Sequence, residues 1–394
     1  MFRISVFYFV LYSSFAVILM FMPLYLQYNG LGKDEIGWIM AMGSVISVVG
    51  QPIWGYISDK LNSTKTVLFI VMVCTFAFSF LLFSVKTFLT LLFVFTLFMF
   101  FMTSCGPLTD SIAMYYARTY KKNYGFMRSF GSFGVGISAL ILGIVISIYG
   151  IEYLGWMYAI MMSLSIPLIF LVREAEREES ASISRSTITF SSIKVLFQNK
   201  VYLWIVGISF LILTPHKMND SLFTIYLSEL GASEQQMGVA WMLATFSSIP
   251  VFIATGILLK HYHELVLMVA AAFVFTLRWF LYGYMDQPKV LIYLQLLQGV
   301  TFPIFFVSVF QYVTKLIPKD LIATGQLLFI AAAIGLGGLV GNAGGGWLME
   351  SFSPQLTYQL AGVLSTVGSL LIVVTIIRGK QKNKKQVKNV CKDG

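Results

Sequence analysis

Long apolar runs separated by short polar breaks fill this chain. The runs predict helices near 4–28, 36–58, 66–85, 88–116, 127–149, 154–172, 200–227, 235–259, 264–284, 289–313, 321–349 and 357–377. A helix needs about 20 apolar residues to cross a bilayer, and each run supplies that length. The runs are continuous rather than alternating, so they read as helices and not as barrel strands. The longest break, 173–199, opens with a charged stretch and turns serine-rich. It divides six runs from six. Phe190 to Phe197 inside it can form a short amphipathic helix on a membrane surface or simply belong to a flexible linker.

Composition agrees with this pattern. Of 394 residues, 58% are hydrophobic and 11% charged, too few charges to cover a soluble domain of this length. The expected fold is an all-α membrane protein with twelve transmembrane helices in two six-helix bundles. The boundaries are an N-terminal bundle over 1–172, a linker over 173–199, a C-terminal bundle over 200–377 and a basic, disordered tail over 378–394. The first run is too long for a signal peptide and lacks a small-residue cleavage site, so it is expected to stay as the first helix.

The net charge of +10 does not point to nucleic acid, because the cations alternate between loops. Twenty-two Lys and Arg residues fall in one set of breaks and the tail, and three (Lys33, Lys86, Lys289) in the other. The positive-inside rule then places both termini in the cytoplasm, with the chain in the cytoplasmic membrane. Three isolated cysteines and three histidines make no metal cluster or disulfide framework, so no cofactor, metal or enzymatic chemistry is expected. The two halves also match at an offset of 201 residues. Tyr25-Leu26 falls on Tyr226-Leu227, Gly30 on Gly231, Gly37 on Gly238 and Gly55 on Gly256. This pattern suggests duplication, and parallel six-helix repeats are one transporter architecture.

A charge near the bilayer centre costs about 2.5–3.5 kcal/mol even on a lenient scale, so intramembrane charges are functional candidates. Asp110 lies inside the fourth run and Arg128 opens the fifth. They can line a ligand site or pin two helices as a structural ion pair. The seventh run carries Pro215-His216-Lys217-Met218-Asn219-Asp220, with Lys217 and Asp220 three apart and so able to share a face. Arg278 in the ninth run can pair with Asp220, and Gln298 lies in the tenth. Substrate contact is expected at Asp110, Arg128, Lys217, Asp220, Arg278 and Gln298. Proton coupling is expected at Asp110, His216 and Asp220, with His216 alternatively a packing residue. Tyr8, Tyr12 and Trp241 are candidates for a cavity wall. Gly337, Gly341 and Gly345, with Gly338, Gly344 and Gly346 beside them, form a close-packing stripe.

The break after the second run reads Gly55-Tyr56-Ile57-Ser58-Asp59-Lys60-Leu61-Asn62-Ser63-Thr64-Lys65. It resembles the signature of the major facilitator superfamily at Gly55, Asp59 and Lys60. Asn62 stands in place of the second glycine, and Lys65 alone remains of the terminal basic pair. Tyr124-Gly125-x-x-Arg128-x-x-Gly131, preceded by Asp110, resembles the phenylpropionate/nucleoside permease and lactose permease group. So do Phe223 to Gly231 and Leu277-Arg278-Trp279. The resemblance implies the major facilitator fold, alternating access, and substrate contact at the positions of Asp110 and Arg128. It also implies a gate in which Gly55 brings helices together and Asp59, beside Lys60, accepts hydrogen bonds near Asp320 and Leu321. Related permeases often have histidine at the position of Gln298, so a proton here has to use Asp110, Asp220 or His216.

The resulting expectation is a monomeric secondary transporter in a lipid bilayer. It would move a small organic solute (an aromatic carboxylate, a nucleoside or a sugar) inward with protons. An excess of one buried cation leans towards an anion. Two rival uses of the fold are a proton-coupled exporter, separable by transport in everted vesicles, and a sensor that binds without translocating.

Overall fold

The computed structural model describes residues 1–172 and 195–390. Twelve helices in them are long and apolar enough to cross a membrane: α1 Phe2–Tyr28, α2 Lys33–Lys60, α3 Thr64–Ser84, α4 Phe88–Thr119, α5 Tyr124–Tyr149, α6 Ile151–Leu171, α7 Lys200–Glu229, α8 Glu234–His261, α9 Glu264–Tyr284, α10 Pro288–Leu316, α11 Thr324–Ser351 and α12 from Pro354. They form two six-helix bundles. Twelve crossings put Met1 and the end of α12 on the same side, here termed the terminal face; the other is the far face.

Local chemistry explains the helix starts. Ser63, Asn123, Asn199 and Ser233 each accept a backbone N–H from the first turn that follows, and Gln236 closes a capping box with Ser233. Most of the predicted segment 173–199 lies outside the described residues, as does part of 190–197; residues 195–198 are helical. The backbone of α12 is helical to Val390. This corrects the expectation of a disordered tail. The stretch is rich in lysine and glutamine, which are good helix formers, and has no proline to stop it.

The matched glycines behave alike in the two halves. Gly30 and Gly231 end α1 and α7 at φ +89° and +78°, a left-handed conformation open to glycine at little cost. The following residues close the same turn, Leu31 N–H onto the Leu26 carbonyl and Ala232 N–H onto the Leu227 carbonyl. Gly37 and Gly238 both sit where the bundles touch. A Cβ on Gly37 would collide with the Asn342 carbonyl and stand 3.0 Å from Gly346 Cα; one on Gly238 would collide with the Ala139 carbonyl and stand 3.2 Å from Gly143 Cα. The halves are thus joined by two equivalent helix pairs, α2 with α11 and α5 with α8.

These pairs close the far face. There Lys33 also forms an ion pair with Glu229, donates its Nζ to the Met349 carbonyl (3.2 Å) and its backbone N–H to Glu350 (3.0 Å). Towards the terminal face the bundles splay. Among the described residues, nothing lies within 4 Å of a Cβ on Gly55 or Gly256, Tyr56 is 66% exposed, and Asp59 and Lys60 lie exposed. Gly55 therefore makes no close helix contact in this conformation. The expected partner position at Asp320 lies outside the residues whose side chains are described.

Two π-helical segments interrupt the crossings, Val17–Phe21 in α1 and Ala331–Leu336 in α11. The glycine stripe of α11 works on two faces. Gly341 and Gly345 pack on Thr214 and Met218 of α7, while Gly338 and Gly346 meet Ser44 and Lys33 of α2.

Candidate functional site

A cavity of about 520 Å³ lies between the bundles. The C-terminal wall supplies His216, Lys217, Asp220, Ser221, Trp241, Thr245, Ser248, Gln298 and Asn342. The N-terminal wall supplies uncharged polar groups, Ser44, Ser47, Gln51 and Thr103, among Phe15, Met20, Met40, Met99 and Met102. The cavity is roofed on the far side by three hydrogen bonds, two between bundles (Thr224 with Met20, Asn342 with Ser44) and one inside the C-terminal bundle (Trp241 with Thr224). Thr224 donates to the Met20 carbonyl (2.8 Å), Trp241 Nε1 donates to Thr224 (3.1 Å), and Asn342 donates to Ser44 (3.2 Å). The Met20 carbonyl belongs to the π-helical segment of α1, where the widened turn disturbs the regular backbone ladder.

One polar network holds the charged wall. Pro215 lies inside α7 beside the cluster. Lys217 Nζ lies 2.9 Å from Asp220 Oδ2, and His216 Nε2 lies 3.6 Å from the same oxygen. The His216 ring is stacked on Phe302 at 4.5 Å. Gln298 Nε2 donates to Asp220 Oδ1 (3.1 Å), while its Oε1 accepts from Arg278 Nη2 (2.8 Å) and from Asn219 Nδ2 (3.0 Å). Tyr358 donates its hydroxyl to Asn219 (3.0 Å). Arg278 therefore reaches Asp220 through Gln298, where the sequence suggested a direct pair. Arg278 is fully buried, lies 4.2 Å from the Trp279 ring centroid, and does not line the cavity. Cation–π contact of a desolvated guanidinium is worth about 2 kcal/mol, which offsets part of its burial cost.

Asp110 and Arg128 form a separate cluster nearer the terminal face. Arg128 Nε is 3.3 Å from Asp110 Oδ1, and the Tyr8 hydroxyl donates to the same oxygen at 2.6 Å. The guanidinium lies 4.4 Å from the Tyr12 ring centroid. The glycine spacing of this segment now has a physical reason. A Cβ on Gly131 would stand 2.9 Å from the Arg128 guanidinium and 3.2 Å from the Tyr12 ring. Asp110 and Arg128 keep side-chain exposures of 25% and 34%, so both face an open space. They do not line the 520 Å³ cavity. Seven residues separate Asp110 from cavity-lining Thr103, about 10 Å along α4.

The sequence-predicted residues thus divide into two groups. His216, Lys217, Asp220 and Gln298 share the cavity wall with Arg278 behind them, and Asp110 with Arg128 stand apart. Of the three aromatic candidates, Trp241 lines the cavity while Tyr8 and Tyr12 serve the second cluster. Asn342 and Ser44 were not among the residues expected from sequence. Asn342 is 1% exposed, and its Oδ1 has no hydrogen-bond partner among the described residues. An amide inside a glycine stripe was the available signal. Among the described residues, no group of three or more His, Cys, Asp or Glu side chains is placed to hold a metal.

Comparison with known proteins gives a consistent picture. The model of the MFS_1 like family matches residues 1–360. The chain is 25% identical to the uncharacterized transporter YwbF of Bacillus subtilis (strain 168), over 90% of this chain and 87% of that one. It is also 25% identical to the maltose permease of Geobacillus stearothermophilus, over 93% and 92%. The crystal structure of the nucleoside transporter NupG superposes with a TM-score of 0.85 at 15% identity, over 95% of this chain and 98% of that one.

Proposed function

The chain belongs to the MFS_1 like family and is a multi-pass membrane permease of the major facilitator fold; on that premise we propose that it carries a small organic solute across the cytoplasmic membrane by alternating access, with proton symport. Both termini then lie in the cytoplasm, the terminal face is the cytoplasmic one, and the two bundles span 1–172 and 200–377. The observation that carries this reading is the polar-lined cavity between the bundles, roofed on the far side and bordered by splayed helices on the other.

The wall also bears on the solute. Lys217 and Asp220 are the lysine and the carboxylate in the lining, and they pair with each other. The surplus cation, Arg278, stands behind Gln298. The charged side chains of the lining itself are therefore balanced. A neutral solute with hydroxyl or amide groups fits best, its polar edge on α7 and α10 and its flatter apolar side against the methionine wall. Maltose permease and NupG, named for a sugar and a nucleoside, agree with this class. His216 and Asp220 are the proposed proton-handling pair because they touch each other and the cavity. Asp110 and Arg128 are proposed to contact solute on its way to or from the terminal face.

Sugars, nucleosides and carboxylates are first screened for a rise in thermal stability of the purified protein, since a bound ligand stabilises by mass action. Uptake of the selected solute into vesicles is then measured with and without an imposed proton gradient. The gradient is expected to raise accumulation several-fold. Unchanged accumulation refutes symport, and accumulation only in everted vesicles reassigns the protein to export.

A further inference from the structure

A second hollow, of about 390 Å³, opens sideways between the bundles near the terminal face. It lies between Val45, Val48 and Val49 of α2, Leu328 to Leu336 of α11 and Tyr202 to Val206 of α7, with Leu196 and Phe197 beside them. Among the described residues, Tyr202 is the one lining residue with a polar side-chain atom, and its hydroxyl already donates to the Gly325 carbonyl at 2.7 Å. Nothing in the crevice asks for a polar ligand. Its rim is open to the surroundings, with Val49 48%, Phe197 59%, Leu203 37% and Leu336 53% exposed. Left empty, such a hollow forfeits the dispersion contacts of its whole lining.

Shape restricts the occupant. The hollow runs along Leu328 to Leu336, and its lining is apolar apart from the bonded Tyr202 hydroxyl. An apolar slot open at its rim suits an unbranched hydrocarbon chain. Charge restricts it further. Lys200, in the first turn of α7, and Lys319 are both exposed. Asn199 Nδ2 donates to the Leu316 carbonyl (3.0 Å), and with the Tyr202 bond it holds the start of α7 against the segment that carries Lys319. The free N–H groups at that helix start add positive potential. Basic groups at a membrane face beside an apolar slot are complementary to an anionic lipid.

We propose that this crevice holds one acyl chain of an anionic phospholipid, with its headgroup on Lys200 and Lys319. The lipid is a wedge. It fills the gap left where α2 and α11 part below the contact of Val48 with Gly335, and it leaves when those helices meet. The proposal needs no particular solute or coupling ion.

The test uses the full chain, purified and delipidated in detergent. Its thermal midpoint is measured with phosphatidylglycerol, with phosphatidylcholine of the same acyl chains, and with glycerol phosphate. Phosphatidylglycerol is expected to raise the midpoint by about 5 °C, phosphatidylcholine by less than half of that, and glycerol phosphate not at all. Ala332→Trp, which fills the slot, and the surface double variant Lys200→Gln/Lys319→Gln are each expected to remove the excess due to phosphatidylglycerol. Equal shifts with both lipids overturn the proposal. So does a full shift with glycerol phosphate, which makes the site a free anion site, or an undiminished shift in either variant. If Ala332→Trp does not fold, the lysine variant alone decides, because it changes only exposed side chains.

Discussion

At the scale of single residues, the two polar clusters call for different treatment. Asp110 and Arg128 pair with each other, and Tyr8 and Tyr12 complete their shell. If they contact solute, Asp110→Asn and Arg128→Ala each reduce initial uptake more than tenfold, a loss of about 1.4 kcal/mol or more in transition-state terms. Both variants are expected to reach the membrane in normal amount, checked by quantifying protein in the same vesicles. Normal uptake in both returns the pair to a purely structural role. The pair itself was legible in the sequence, because a charge inside an apolar run stands out. Its distance from the cavity was not, since sequence gives a residue's depth along its helix only coarsely and says nothing of where the bundles part. Asn342 was harder still. In lipid both faces of a helix are apolar, so periodicity loses the contrast that marks an inward face in a soluble protein.

At the scale of elements, the sequence was most informative. The number and order of the helices follow from the apolar runs, and the 201-residue offset anticipated equivalent turns and contacts in both halves. The π-helical segments were invisible, because Val17 to Phe21 and Ala331 to Leu336 have ordinary apolar sequences. Gly37 offers a test of the α2–α11 pair. Gly37→Leu pushes a side chain into the Asn342 carbonyl and Gly346, an overpacking cost of about 1–3 kcal/mol. It is expected to pry the far face open. A cysteine placed at Ser47 in the cavity should then react faster with an impermeant thiol reagent added from the far side. An unchanged labelling rate shows that the pair does not hold that face closed.

At the scale of the whole molecule, Lys33 joins the N-terminal bundle to the ends of both α7 and α11. Under the proposed alternating access, this junction comes apart in every cycle. The double variant Lys33→Cys/Glu229→Cys, once oxidised, is expected to lose at least nine-tenths of its uptake and to regain it with a reductant. Full uptake by verifiably cross-linked protein excludes opening at the far face. One consequence joins the scales. The widened turn in α1 follows Tyr8 and Tyr12, which hold the Asp110 cluster, and contains Met20, which holds the roof. Each residue of a regular helix turns the chain by about 100°, so one extra residue at that turn sets the azimuth of the tyrosines relative to the roof. Val17–Phe21 is thus a phase shifter in the first crossing, and excising a single residue there would dial one half of α1 away from its neighbours while leaving the other half in place.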